Sequence, residues 1–163
     1  MTDRDAFDDD FPPPEWNMPV PALLPPHRDR IKWILEDNGW SYHVGHDGTV
    51  SGKWNLGIYS FELYGRKEEI FCVRGTWYKT PELDDYILAT SICNSWNEHR
   101  FWPKAYAHID EEGKLMIQTE MAVSYLSGVT DTQLEDHIHC ALSTSETFFE
   151  ELETKLPHAH RLN

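Results

Sequence analysis

The sequence predicts an α+β fold: a curved, mainly antiparallel sheet packed with helices, in the order helix, three or four strands, helix, two strands, helix. Three observations carry this. Apolar residues recur at helical spacing between residues 130 and 156, and runs of aromatic and β-branched residues alternate at period two between short glycine-containing turns. The segment Trp96-Asn97-Glu98-His99-Arg100-Phe101-Trp102-Pro103-Lys104-Ala105-Tyr106 closes a helix and opens a strand. Proline lacks a backbone donor and pushes the preceding residue out of the helical region. The helix is therefore expected to end by Phe101, with Trp102 extended.

The first helix is read over Arg28 to Asn38, where Ile31, Ile34 and Leu35 form a stripe and Gly39 supplies the stop. From Trp40 the period becomes two: Trp40, Tyr42 and Val44 alternate with polar neighbours, and His46-Asp47-Gly48 turns the chain toward Val50. Strands at 56–64 and 69–79 flank Gly65-Arg66-Lys67-Glu68 and are expected to pair antiparallel. A second helix is placed over about Leu83 to Phe101, with Leu88, Ile92 and Trp96 on one ridge and Ala89 and Cys93 beside them. Strands near Lys104–Asp110 and Lys114–Ser124 follow, joined by Glu111-Glu112-Gly113. Thr130-Asp131-Thr132-Gln133 is a capping box that starts the last helix. Leu134, Ile138, Ala141, Leu142, Ser145, Phe148, Phe149, Leu152 and Leu156 form its stripe, Glu135, Asp136, Glu146, Glu150 and Glu153 point elsewhere, and Pro157 ends it.

The 163 residues, 40% hydrophobic and 13% aromatic, suffice for one core, so a single domain is expected over residues 27–157. Residues 1–26 hold seven of the ten prolines and six acids, the composition of a disordered or draped lead, and residues 158–163 read as a flexible tail. The formal charge of -14 opposes gripping nucleic acid or anionic lipid through phosphate neutralisation. No apolar run approaches the roughly 20 residues that cross a bilayer, and Met1-Thr2-Asp3-Arg4-Asp5 does not begin a signal peptide. The expectation is a cytoplasmic protein without membrane or nucleic-acid partners.

No reaction is written in the chain. Cys72, Cys93 and Cys140 lack a Cys-x-x-Cys pair, and Cys93 beside Ala89 and Ile92 reads as core packing rather than as a nucleophile. His137 and His139 lie two positions apart, about 200° around a helix, and cannot share an ion on one face. Ser143, Thr144 and Ser145 have no Gly-x-Ser-x-Gly elbow, and phosphate-loop and dinucleotide glycine patterns are absent. No metal, cofactor or catalytic residue is assigned.

An ordered set of short motifs carries a resemblance: Asn38-Gly39-Trp40, Asp47-Gly48, Gly52 with Trp54, Arg74-Gly75 with Trp77, Trp96-Asn97, Arg100, Trp102-Pro103-Lys104-Ala105, and Gly128-Val129-Thr130 with Gln133-Leu134. Over about residues 28–156 the chain resembles the YbjN family of bacterial proteins, particularly its actinobacterial branch. The resemblance implies a fold like that of type III secretion chaperones, commonly dimeric, in a family described as bacterial sensory transduction regulators. It brings no catalytic residues, and chaperone activity would rest on fold analogy alone.

The expected function is that of a non-enzymatic interaction protein or regulator, homodimeric, acting on an unknown protein or peptide partner. Its candidate surface is Arg74, Arg100 and Lys104 among Trp54, Trp77, Trp96 and Trp102, because planar cations beside aromatic rings recognise acidic peptides and small anions. The competing reading of the same residues is core tryptophans edged by basic stems. A small-ligand sensor or enzyme with a pocket near this cluster is the alternative function.

Overall fold

The computed structural model describes residues 21–162. Helix α1 (Arg28–Asp37) is capped by His27, whose Nδ1 accepts from the Asp29 amide at 3.2 Å, and it buries Ile31, Ile34 and Leu35. Gly39 ends it at φ +69°, a conformation that side chains disfavour. The amide of Trp40 then bonds back to the Leu35 carbonyl at 2.8 Å. That bond consumes the backbone the sequence assigns to a strand, so β1 is only His43–Val44, and Trp40 and Tyr42 precede it.

The chain continues through β2 (Val50–Lys53), β3 (Gly57–Tyr64), β4 (Ile70–Trp77) and the short β5 (Lys79–Thr80). A 3₁₀ turn at Leu83–Asp85 leads into α2 (Tyr86–His99), followed by β6 (Lys104–Ile109), β7 (Leu115–Ser124), α3 (Asp131–Lys155) and β8 (His160–Arg161). Six strands form one sheet in the order β1-β2-β3-β4-β7-β6, every neighbouring pair antiparallel. Two of the three long pairings are the expected hairpins. The third, β4 with β7, sets Arg74 opposite Glu120 and Gly75 opposite Thr119.

Side chains alternate across this sheet. On the inner face, Tyr59, Phe61, Phe71, Val73, Trp77, Ile117, Thr119 and Met121 are buried against the helices. A Cβ at Gly75 would lie 2.6 Å from Thr119 Oγ1 and 2.7 Å from the Tyr59 ring, so only glycine fits there. The capping box of α3 is complete, Thr130 Oγ1 and the Gln133 side chain bonding each other's backbone amides. All nine stripe residues from Leu134 to Leu156 are buried, each large apolar one contributing about 1.5–3 kcal/mol.

Four polar groups on α3 also face inward. Ser145 and Thr119 hydroxyls meet at 2.8 Å. The Glu146 carboxylate accepts from the Tyr59 hydroxyl at 2.7 Å and the Leu56 amide at 3.0 Å. Glu153 accepts from Trp77 Nε1 at 3.1 Å and pairs with Lys79. His137 Nε2 sits 3.0 Å from the Met121 carbonyl, and its Nδ1 is 3.0 Å from the Tyr125 hydroxyl. A carbonyl only accepts, so Nε2 carries the proton and Nδ1 accepts from Tyr125. Glu146 and Glu153 thus differ from the outward direction their charge predicts, because buried donors of the sheet await them.

On α2 the buried stripe is Ala89, Ile92, Cys93 and Trp96, whereas Leu88, expected on that ridge, is 47% exposed. It stands one residue, about 100°, off the stripe. The helix guards the sheet edge at β6: Asn97 Nδ2 donates to the Ala105 carbonyl and its Oδ1 accepts from the Ala105 amide, both at 2.8 Å. An amide side chain here completes a strand edge as a neighbouring strand would. The Trp102–Pro103 peptide that follows is cis.

The segments at both ends of the described chain make backbone bonds to the domain. Residues 1–20 of the expected lead lie outside the described residues, but residues 21–26 are stitched to the domain. Leu24 and Val129 exchange backbone bonds of 2.8 and 3.3 Å, and Arg30 donates to the carbonyls of Leu24 and Pro25. At the other end, the expected flexible tail pairs as β8 with β5, and the Leu162 amide bonds the Tyr78 carbonyl at 2.8 Å. Short segments gain order where unpaired carbonyls lie within reach.

Two outcomes follow. Asn97→Ala should lower unfolding free energy by about 1–3 kcal/mol, read from the urea midpoint, since it strips both partners from Ala105. Burial lowers the pKa of His137 from 6.5, against the smaller opposing effect of its bond to the Met121 carbonyl. Its stabilising contribution is therefore full above pH 6.5 and lost as pH falls through the lower folded value. The wild type should lose stability from pH 7 toward pH 5 more steeply than His137→Gln, in denaturant titrations at matched pH.

Candidate functional site

The residues singled out by sequence divide among three places. Trp54 and Trp77 belong to the inner side. Trp54 packs edge-on against Trp40, Tyr59 and Phe61 with centroids 5.3 to 6.0 Å apart, and Trp77 is fully buried with its indole N–H on Glu153. Neither offers a free ring face to a partner as a cluster with Arg74, which points the opposite way from β4.

Arg74 occupies the middle of the outer sheet face. Its Nε donates to Glu120 on β7 at 3.0 Å, its Nη1 lies 3.3 Å from Glu62 on β3, and Nη2 donates to Tyr64 at 3.1 Å. Tyr106 on β6 donates to Glu120 at 2.8 Å. Burial works against the guanidinium charge, yet Glu62, with Tyr106, Tyr64 and Glu120 around it, raises its pKa above the ordinary arginine value. Burial and the Glu120 bond raise the Tyr106 hydroxyl as well. This network spans four strands and leaves the Arg74 donors engaged. The alternating strand pattern marks these positions as one polar face, but the four partners were missed: Glu120 and Tyr106 reach Arg74 only through the β4–β7 pairing, and Glu62 and Tyr64 only through the exact register of the β3–β4 hairpin.

The third place is the corner after α2. Trp96 is buried, its ring 5.0 Å from Phe148 and its Nε1 donating to the Pro103 carbonyl at 3.1 Å. The Arg100 guanidinium lies over the outer side of that ring, 5.3 Å from its centroid, and the Lys104 ammonium lies 5.5 Å from the Tyr106 ring. Phe101 is 97% exposed and Trp102 40%. Arg100, Trp102 and Lys104 therefore share an accessible corner, with Phe101, which sequence reasoning passed over, projecting from it.

This exposed patch extends along α2. Leu83, Tyr86, Ile87 and Leu88 are all exposed at its start, Ile87 by 82%. Between them and Phe101 the exposed residues are Ser91, Asn94 and Ser95, then Asn97, Glu98, His99 and Arg100 at the end of the helix. Glu98 is the one acid in the helix, although the chain carries 28.

The remaining candidate chemistry resolves into structure. Burial pushes the Cys72 thiol up to about 11 and the Cys93 thiol to about 12, away from thiolate nucleophiles. His137 is buried in the core while His139 stacks 4.7 Å from Trp40 on the outside, so the pair points apart as expected. Among the described residues, no group of three or more His, Cys, Asp or Glu side chains is placed to hold a metal, and no helix is long and apolar enough to cross a membrane.

A family model named YbjN, described as "Putative bacterial sensory transduction regulator", matches residues 27–154. The chain belongs to the YbjN family. No curated protein sequence matches it significantly. Among solved structures, this YbjN-family chain is similar to the crystal structure of YbjN, "a putative transcription regulator from E. coli", with a TM-score of 0.74 and 12% identity over 87% of this chain and 100% of that one. At that identity the likeness is one of fold, and it agrees with the expected α+β architecture. The Yersinia pestis type III secretion chaperone SycH, solved with a stable fragment of YscM2, is a more distant likeness, at TM-score 0.43 and 10% identity over 74% of this chain and 98% of that one.

The Arg74 network is structural in its contacts, and this separates it from the corner. Arg74→Met should destabilise the fold by about 1–3 kcal/mol, since it leaves Glu62 and Glu120 facing each other without their cation. Arg100→Glu should leave the thermal midpoint within about 2 °C of wild type. Calorimetric scans of the two variants distinguish them.

Proposed function

We propose that this YbjN-family chain is a non-enzymatic cytoplasmic interaction module or regulator that forms a homodimer and binds a protein partner through the outward side of α2 and the corner after it. One observation carries the reading: α2 turns exposed apolar residues outward, Leu83, Tyr86, Ile87 and Leu88 at one end and Phe101 and Trp102 beyond the other, with one acid along its whole length. Uncharged surface with apolar ends suits an interface centre: Ser91, Asn94 and Ser95 join the two ends, Glu82, Asp84 and Asp85 border the first, and the basic residues at the second suit an acidic rim on the partner. Arg100 and Lys104 stand at that margin, so an acidic, apolar peptide segment fits the patch.

The engaged state of the ionisable groups supports a non-enzymatic role. Glu62 and Glu120 hold Arg74, Glu146 holds Tyr59 and Leu56, Glu153 holds Trp77 and Lys79, and the thiols of Cys72 and Cys93 are raised. None is poised as base or nucleophile.

Light scattering over a concentration series tests the reading. The wild type should reach a dimer mass by high micromolar concentration, and Ile87→Asp should remain monomeric with an unchanged thermal midpoint. A monomeric wild type, or a dimer that Ile87→Asp leaves intact, would remove α2 as the self-association surface. For a partner recovered by affinity capture, Arg100→Glu should weaken binding about tenfold at low salt, consistent with loss of about 1.4 kcal/mol.

A further inference from the structure

The corner after α2 suits an acidic, apolar segment, and the described chain exposes one at the other end of the same helix. Residues 82–87 read Glu-Leu-Asp-Asp-Tyr-Ile, with Leu83, Tyr86 and Ile87 exposed. Glu82 pairs with His160 at 3.0 Å, which leaves Asp84 and Asp85 as the acids of this end. The helix is therefore two-ended: acids with aliphatic residues where it starts, Arg100 and Lys104 with Phe101 and Trp102 where it exits, and uncharged Ser91, Asn94 and Ser95 between. A second copy turned end for end matches this surface twice, acids to cations and apolar to aromatic. The same copy set parallel brings like charges together at both ends, which opposes association.

The register follows from the outward line of the helix. Ala89, Ile92, Cys93 and Trp96 define its buried side, and at 3.6 residues per turn Ile87, Ser91, Asn94 and Glu98 run along the opposite side. Asn94 is the midpoint, since Ile87 and Phe101 each stand seven positions from it and Asp84 and Lys104 each ten. A two-fold axis there sets Ile87 of one copy by Phe101 of the other and Asp84 by Lys104. It also places Glu98 by Thr90, clear of the other copy's acids. The two Asn94 amides meet on the axis, each able to donate to the other's carbonyl oxygen, a pairing that fixes register as a buried asparagine does between coiled-coil helices.

We propose that a second copy of this chain docks antiparallel on α2 with Asn94 on the two-fold axis, Asp84 and Asp85 of each copy meeting Arg100 and Lys104 of the other. Such an interface is isologous and closes at two subunits. The proposal rests on α2 being the self-association surface and adds its orientation, register and charged contacts.

Oxidative crosslinking of the full chain in a Cys140→Ser background tests the register, Cys72 and Cys93 being buried. Asn94→Cys should crosslink to itself as a disulfide-bonded dimer. Ile87→Cys should crosslink with Phe101→Cys in a mixture of the two, and neither with itself. Sedimentation equilibrium at low salt reads the charged contacts: Asp84→Lys/Asp85→Lys and Arg100→Glu/Lys104→Glu should each raise the dimer Kd at least about tenfold, and the fourfold variant should restore it. Because the crosslinking arm reverses no charge, it decides the matter even where a reversal unfolds the chain. A wild type that stays monomeric overturns both the α2 reading and this arrangement. A dimer that Ile87→Asp dissolves overturns the antiparallel arrangement alone, and leaves α2 as the surface, if Asn94→Cys does not crosslink, if the charge reversals change nothing, or if the fourfold variant fails to restore pairing.

Discussion

The structure depends on how α3 lies against the inner face of the sheet. Apolar contact alone specifies that a helix and a sheet meet and leaves their relative sliding weakly determined, because one methyl group substitutes for another. Here four polar contacts fix the position. His137 meets the Met121 carbonyl, Ser145 meets Thr119, Glu146 meets Tyr59, and Glu153 meets Trp77. Each links a different point along the helix to β3, β4 or β7. A slide of one turn would leave several buried polar groups unpaired, at about 1–3 kcal/mol each. Gly75 belongs to the same constraint, since any side chain there would collide with Thr119 and Tyr59.

With the inner face committed to α3, the sheet's other face and edges take different roles. The outer face is bound together by Arg74 and its carboxylates across β3, β4 and β7, so it presents a polar surface whose charges are mutually satisfied. The β6 edge is closed by Asn97 and the end of α2, and the β1 edge is only two residues long. Both are protections against edge-to-edge pairing. Among the exposed large apolar side chains, those of α2 and the Phe101–Trp102 corner lie along one helix and its exit. The interaction surface is thus placed where the fold has no internal use for the side chains.

Charge is distributed unevenly in a related way. Acids outnumber bases two to one, and most described cations are taken by nearby carboxylates. The exceptions lie at the α2 corner, in the turn after β3 and at Lys53 and Arg161. A cation left without a partner in so acidic a chain stands out electrostatically, because long-range repulsion elsewhere steers acidic ligands toward it.

Local residue patterns specify the elements and most of the core. Helix caps, the apolar stripes of α1 and α3 and the two long hairpins follow from local spacing and turn residues, since neighbours within a helix or hairpin are close along the chain. The absence of charge along α2 was equally readable, although the exposure of Leu88 and Ile87 was not, because one residue of rotation decides which side of a helix is buried. The remainder depends on contacts between distant parts of the chain. The inward turn of Glu146 and Glu153, the meeting of Arg74 with Glu62 and Glu120, and the capture of the tail by β5 each join residues from 12 to more than 80 positions apart. Likewise the tryptophans and cations that look like one cluster in sequence fall on opposite faces, because a strand alternates its side chains and α2 separates β4 from β6. Such juxtapositions depend on strand order, which no local property of the chain encodes, and so the candidate surface could be named in part from sequence but assembled only in three dimensions.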